Sequence, residues 1–345
     1  HALRLLVESN VAYANGALAD DELLSQQFSI KEAQSNVEYL ATKSSNILAV
    51  LFNVFSQTVP ESRGFVMETI DAYLSISSPT DLEATFNKVS SLLKDALESE
   101  ANQQQAKNKS KLSVTMMDLV VAMAKYVPES SYYALFMIFN QVVTSEEPLL
   151  QKRAYRIISK LVETPTGTQA LSKFIESIEK VIIDNTNNVH PSAKAARLSA
   201  ISTILAILPS DHLNFIPGVL SEITLSTTSV NEKTRELSYK TLIEMGNVMN
   251  KGGVVKLSKL DGFPDDTPDS EGSLEEYLKM VLGGLGGDNN HQISITITAI
   301  SCLIYEFKDQ ISTDLLVEIT STVDLFLTTN NKEIAKSAIG FAKIA

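Results

Sequence analysis

The feature that most restricts this chain is a recurrence: one amphipathic helical pattern returns about every 40 residues. The clearest copy is VNEKTRELSYKTLIEMG at 230–246. On a helix Leu237, Thr241 and Met245 repeat at i, i+4 and i+8, with Leu242 closing the stripe, and Glu232, Lys233, Arg235, Glu236 and Lys240 fall mostly on the other side. Asn231 is placed to cap this helix and Gly246 to end it. Aligning Arg235 with Arg197 in AKAARLSAISTIL and with Arg153 in LLQKRAYRIISKL gives steps of 38 and 44 residues. Thr296 in HQISITITAISCLIYEF and Ala335 in NKEIAKSAIGFAKIA continue the series at 61 and 39. The long step contains a Gly/Pro/Asp-rich insert of 23 residues at 251–273, and without it the step is 38. A helix with one apolar stripe cannot bury that stripe alone. Copies at this spacing therefore predict an all-α fold, a HEAT/armadillo-type α-solenoid of stacked antiparallel helix pairs.

On this reading 1–98 is the N-terminal part of the array, and 99–111 is a polar loop or a seam where residues are absent. Central repeats fill 112–250, the acidic variable insert follows at 251–273, and further repeats run over 274–345. The chain opens without Met and closes mid-helix, which reads as a fragment of something longer. The first helix is expected to end at Gly16 and a second to span 20–28. NILAVLFNVF is apolar enough to lie at the centre of its layer. Pro60 opens a helix with Phe65, Ile70 and Tyr73 pointing inward, Pro79 stops it, and Asp81 caps the next. Pro148 opens the basic helix that follows the pair around Pro128.

Charge narrows the partners. The net charge is −12, and residues 1–100 alone carry −8, from 6 Lys/Arg against 14 Asp/Glu. Residues 147–198 carry +3, from 8 against 5. Nucleic-acid binding needs clustered cations, so it is confined to that basic middle and to Lys107, Lys109 and Lys111. Lys152, Arg153, Arg156 and Lys160 crowd one side of their helix, with Lys194 and Arg197, then Lys233 and Arg235, at the equivalent place in later repeats. Such a ladder suits RNA phosphate or an acidic partner, and the same positions also suit ion pairs within a repeat. Cys302 sits on an apolar helical face and reads as a buried thiol; a single cysteine forms no disulfide framework, consistent with a reducing compartment. No run of 18 apolar residues suggests a membrane span.

Catalytic, cofactor and metal motifs are not recognisable. His1, His190, His212 and His291 are scattered and have no cysteine cluster beside them. GGLGG at 283–287 follows a helical pattern, not a strand, and lacks the Lys-Ser/Thr ending of a phosphate loop. Asp265, Asp266, Asp269 and Glu271 lack calcium-loop spacing; they belong to an acidic, partly disordered insert in which Thr267-Pro268 is a candidate phosphorylation site. The expectation is a non-enzyme with no small-molecule substrate.

QKRAYRIISKL, TRELSYKTLIEMG, AISCLIYEFKD and EIAKSAIGFAKIA, with LIEMG, YEFK and KSAIGFAKIA inside them, together resemble the ribosomal RNA processing protein 12 family of HEAT-repeat ribosome assembly factors. The resemblance covers the last 195 residues in order, whereas 1–150 carry no diagnostic motif. It implies a nucleolar and nuclear protein, shuttling to the cytoplasm, that associates with pre-ribosomal proteins and assembly factors on small-subunit precursors. It also implies contacts with pre-rRNA, a Ran-type GTPase and nucleoporin repeats, and it brings no catalytic residues. Two other classes fit the architecture: a karyopherin-type nuclear transport receptor, and the HEAT scaffold of a phosphatase or kinase complex.

Overall fold

A computed structural model describes residues 1–17, 28–102 and 111–344; residues 20–27 of the helix expected over 20–28, together with Lys107 and Lys109, lie outside the described residues. The fold is all-α, and its one pair of strands is two residues long on each side among the described residues. The chain divides into two compact units, His1–Ala170 and Leu171–Ala345.

The first unit contains α1 (Ala2–Ala14), α2 (Ile30–Gln57), α3 (Gly64–Ile76), α4 (Pro79–Ala101), α5 (Leu112–Met123), α6 (Tyr132–Val143) and α7 (Pro148–Leu161), and α8 (Pro165–Lys173) carries the division. Each odd-numbered helix packs on the odd-numbered helix before it, α1 to α3 to α5 to α7, while α2, α4 and α6 pack beside them. That alternation is what stacked helix pairs produce. Local chemistry sets the boundaries. The Ser29 hydroxyl accepts from the Glu32 amide at 3.2 Å and the Glu32 carboxylate accepts from the Ser29 amide at 2.7 Å, a reciprocal cap on α2. Hydrogen bonds from Ser29 to the Glu32 carboxylate hold its pKa below the ordinary value.

Three expectations about α3 and α4 are corrected. Pro79 does not merely stop one helix; it is the first residue of α4, where its missing N–H is harmless. The cap is Ser78, which accepts from the Asp81 amide at 3.1 Å. Phe65 does not point inward with Ile70 and Tyr73; it is 72% exposed while they are fully buried. Five helical residues turn the chain by about 140° beyond a full turn, which takes Phe65 off the stripe. NILAVLFNVF is likewise not wholly central. Leu48, Leu51 and Phe55 are buried, but Val50 and Val54 are 63% and 43% exposed, because α2 has neighbours on only part of its circumference.

The second unit contains α9 (Ile175–Asp184), α10 (Lys194–Ile207), α11 (Phe215–Ser226), α12 (Glu232–Asn250), α13 (Leu274–Leu282), α14 (Asn290–Phe307), α15 (Thr313–Asp324) and α16 (Lys332–Ala342). The recurring pattern falls on α10, α12, α14 and α16, and these four pack in that order, one on the next. Asn231 does cap α12, accepting from the Thr234 amide at 3.0 Å. Gly246 does not end it, since the helix runs four residues further, to Asn250. Its lack of a side chain serves packing: a Cβ there would lie 2.7 Å from the Phe307 ring and 3.2 Å from that of Tyr277. Tyr277, itself buried, donates to the Leu242 carbonyl at 2.6 Å and so locks α13 to α12.

The insert is folded at its base, not partly disordered throughout. Strand β1 (Val254–Val255) pairs antiparallel with β2 (Ser270–Glu271). The Val254 amide donates to Ser210 at 2.7 Å, and its carbonyl accepts from Leu213 at 3.3 Å. Lys256 pairs with Asp211 at 3.2 Å and Lys259 with Glu176 at 3.5 Å. Cys302 is half-buried, less enclosed than its apolar face suggested, and burial raises its pKa.

Candidate cationic contact sites

Four of the eight ladder cations lie on α7 in the first unit and four on α10 and α12 in the second. On α7, Arg153 is spent internally: Nε and Nη2 donate to the two Asp118 oxygens at 2.6 and 3.1 Å, and Nη1 donates to the Leu149 carbonyl at 3.0 Å. A fork of this kind fixes both partners. Lys160 pairs with Glu163 at 2.9 Å, and Glu163 also meets Lys125 at 3.1 Å. Lys125 reaches Asp71 at 3.4 Å, and the Tyr126 hydroxyl donates to Asp71 at 2.9 Å. Burial opposes the charge on Lys125, but hydrogen bonds with Glu163 and Tyr126 and the field of Asp71 outweigh it and hold its pKa up. Burial, and then the Asp71 charge, push Tyr126 up to about 12. Burial also works against ionised Glu163, and the two lysines overcome it, leaving its pKa lowered. Lys152 is half-buried, and Arg156 projects into solvent.

In the second unit Arg197 overturns its place in the ladder. It is 0% exposed. Nε and Nη2 donate to Glu222 at 2.7 and 2.8 Å, and Nη2 also reaches the Ile182 carbonyl at 2.7 Å and the Thr186 hydroxyl at 3.0 Å. This buried pair ties α10 to α11 and to the end of α9, and no ligand can reach it. Arg235 donates to the carbonyls of Ser229 and Val230 at 2.8 and 2.9 Å and so closes the turn between α11 and α12. Lys194, the first residue of α10, is half-buried, and Lys233 is exposed.

Asp118, Glu222 and the two turn carbonyls lie outside every pattern read from the sequence. With them in place, the three aligned arginines are members of the packing, and the surface charge falls to their neighbours.

The ribosomal RNA-processing protein 12 HEAT-repeat model matches residues 1–58. Ribosomal RNA-processing protein 12 of Saccharomyces cerevisiae is 49% identical over 100% of this chain. The chain belongs to the ribosomal RNA-processing protein 12 family. The putative member of Schizosaccharomyces pombe is 30% identical, again over 100% of the chain. The family signal is thus not confined to the last 195 residues: the matched model lies at the N-terminal end, where no diagnostic motif was recognised. The chain spans 28% and 29% of these two relatives' lengths. Among solved structures, a karyopherin, Kap121p, crystallised with the SUMO protease Ulp1p, overlays 98% of this chain and 33% of its own at 16% identity and a TM-score of 0.46.

Three of the four histidines of this family member have polar partners. Ser192 donates its amide to His190 at 3.2 Å, His212 pairs with Glu179 at 3.0 Å and His291 with Glu333 at 2.7 Å. Burial raises the Glu179 pKa despite His212 beside it. No group of three or more His, Cys, Asp or Glu is arranged to hold a metal among the described residues. The first four residues of GGLGG, Gly283–Gly286, continue from α13 as a short 3-10 helix. A Cβ on Gly284 would lie 2.6 Å from the Thr296 hydroxyl, so close approach to α14, not phosphate binding, accounts for glycine there. No helix among the described residues is long and apolar enough to cross a membrane.

Proposed function

We propose that this protein is a non-catalytic HEAT-repeat scaffold of ribosome biogenesis. It associates in the nucleolus and nucleus with small-subunit precursor particles during rRNA processing and subunit export. The observation that carries the reading is 49% identity along the whole chain to a relative named for rRNA processing. Its partners are pre-ribosomal proteins and assembly factors, with pre-rRNA phosphate reached through the outer cations Lys152, Arg156 and Lys160 of α7 and Lys194 and Lys233 of the second unit. Contacts with a Ran-type GTPase and nucleoporin repeats would accompany export and shuttling to the cytoplasm. Stacked helix pairs suit this role, because each pair adds outer surface without altering the core of pairs beyond its neighbours.

Affinity purification from nuclear extract, with sequencing of the RNA and mass spectrometry of the proteins recovered, tests the reading. Small-subunit precursor rRNA together with assembly factors is the expected recovery. A Ran-type GTPase with assorted cargo and no rRNA would overturn it in favour of a transport receptor. A stoichiometric phosphatase or kinase subunit would overturn it in favour of an enzyme scaffold.

A further inference from the structure

One cation in the first unit is buried without an anion among the described residues. Arg63 stands between the Pro60–Ser62 turn and α3 and is 9% exposed. Its Nε donates to the Thr58 carbonyl at 2.9 Å, its Nη1 donates to the Thr115 hydroxyl at 3.3 Å, and its guanidinium lies 4.9 Å from the centroid of the Phe55 ring. All three partners are neutral, and Nη2 has no hydrogen-bond partner among the described residues. Nη2 is not sealed from water, so this largely buried charge opens at one end toward an acceptor from outside.

The geometry supplies room for one. Arg63 lines a cavity of about 440 Å³ together with Phe55, Pro60, Met67, Val114 and Leu149. Two closed ion pairs also line it, Lys111 with Glu147 at 2.6 Å and Arg153 with Asp118 at 2.6 Å. Those pairs cancel, leaving the cavity with the single positive charge of Arg63 against apolar walls. One carboxylate beside an aliphatic side chain matches that lining. A polyanion matches it less well: the other two cations of the lining are already paired, so only one of its phosphates would meet an unpaired charge.

We propose that this cavity is a docking site for an extended peptide segment of a protein partner, with an Asp or Glu side chain accepting from Arg63 and an adjacent aliphatic residue on the apolar wall. The proposal stands independently of the ribosome-assembly reading, since it is tested on the isolated chain. Methyl-labelled methionine in the 345-residue chain provides the probe through Met67, its resonance assigned with Met67→Leu. Acetyl-Leu-Asp-Leu-amide is expected to shift that resonance saturably, and acetyl-Leu-Asn-Leu-amide to bind at least about tenfold more weakly, the loss typical of one charge-assisted hydrogen bond. Arg63→Met removes the response. Because that variant also loses two internal hydrogen bonds, Glu147→Gln serves as the second: it keeps Arg63, releases Lys111 from its ion pair so that the lining gains a positive charge, and tightens the Asp peptide several-fold. Equal binding of the Asn peptide, no Met67 shift with either peptide, or unchanged affinity in Glu147→Gln would each overturn the proposal. So would a hexauridylate that shifts Met67 as tightly as the Asp peptide, which would make this a phosphate site for RNA.

Discussion

Arg197 is the residue at which a recognition charge and a structural one part company. With its guanidinium fully enclosed, removing only its anion leaves an uncompensated buried charge, which costs about 3–5 kcal/mol. Glu222→Gln should therefore lower stability by an amount in that range, measured by urea unfolding, and Arg197→Met with Glu222→Met should be less destabilised than Glu222→Gln alone. The sequence displays Arg197 at a repeat position, but its partner lies 25 residues away on the next helix, beyond the reach of i, i+4 reasoning. Arg153 hides its partner in the same way, 35 residues back. Glu163 yields a pH prediction at this scale. Its folded pKa is depressed below the unfolded value of 4.5, so its contribution is fully present above that value and is lost as pH falls through the folded pKa. Glu163→Gln should flatten the acid limb of a thermal-melt series while leaving the melt near pH 7 less affected than Glu222→Gln does, because Glu163 is partly solvated.

Helices reveal which features of an element are local. Asn231 as a cap, Pro148 as a first residue and the end of α1 ahead of Gly16 were all readable, because capping and proline geometry act within a few residues. Gly246 was not, because the ring that excludes a side chain there belongs to Phe307, 61 positions on. Alanine would favour the helix by about 1 kcal/mol, yet overpacking against two rings costs about 1–3 kcal/mol. Gly246→Ala should thus lower the Tm, and adding Phe307→Leu should recover part of the loss in a calorimetric scan. The outward faces of Val50 and Phe65 escaped the sequence for a related reason: hydrophobicity states what can be buried, and the set of neighbours decides what is.

At the scale of the whole molecule, the all-α solenoid class and its helix-pair stacking were legible because periodicity is a property of the chain itself. The division at 170/171 leaves no mark in composition. Each unit keeps one exposed ladder cation, Arg156 in the first and Lys233 in the second. Arg156→Glu with Lys233→Glu should reduce co-sedimentation with small-subunit precursors at low salt more than at high salt, with the far-ultraviolet circular dichroism unchanged; equal co-sedimentation would remove these cations from the contact. The neck of the insert has a consequence of another kind. Val254 and Val255 face Glu271 and Ser270 across a paired ladder, so the chain leaves the helical body and returns to it at one narrow doorway. Lengthening what hangs beyond that doorway adds only about 0.6 kcal/mol of loop closure per doubling. A small folded reporter with adjacent termini, spliced between Asp265 and Asp266, should leave the melting of the helices almost unchanged and turn this loop into a port for labelling the protein inside its assemblies.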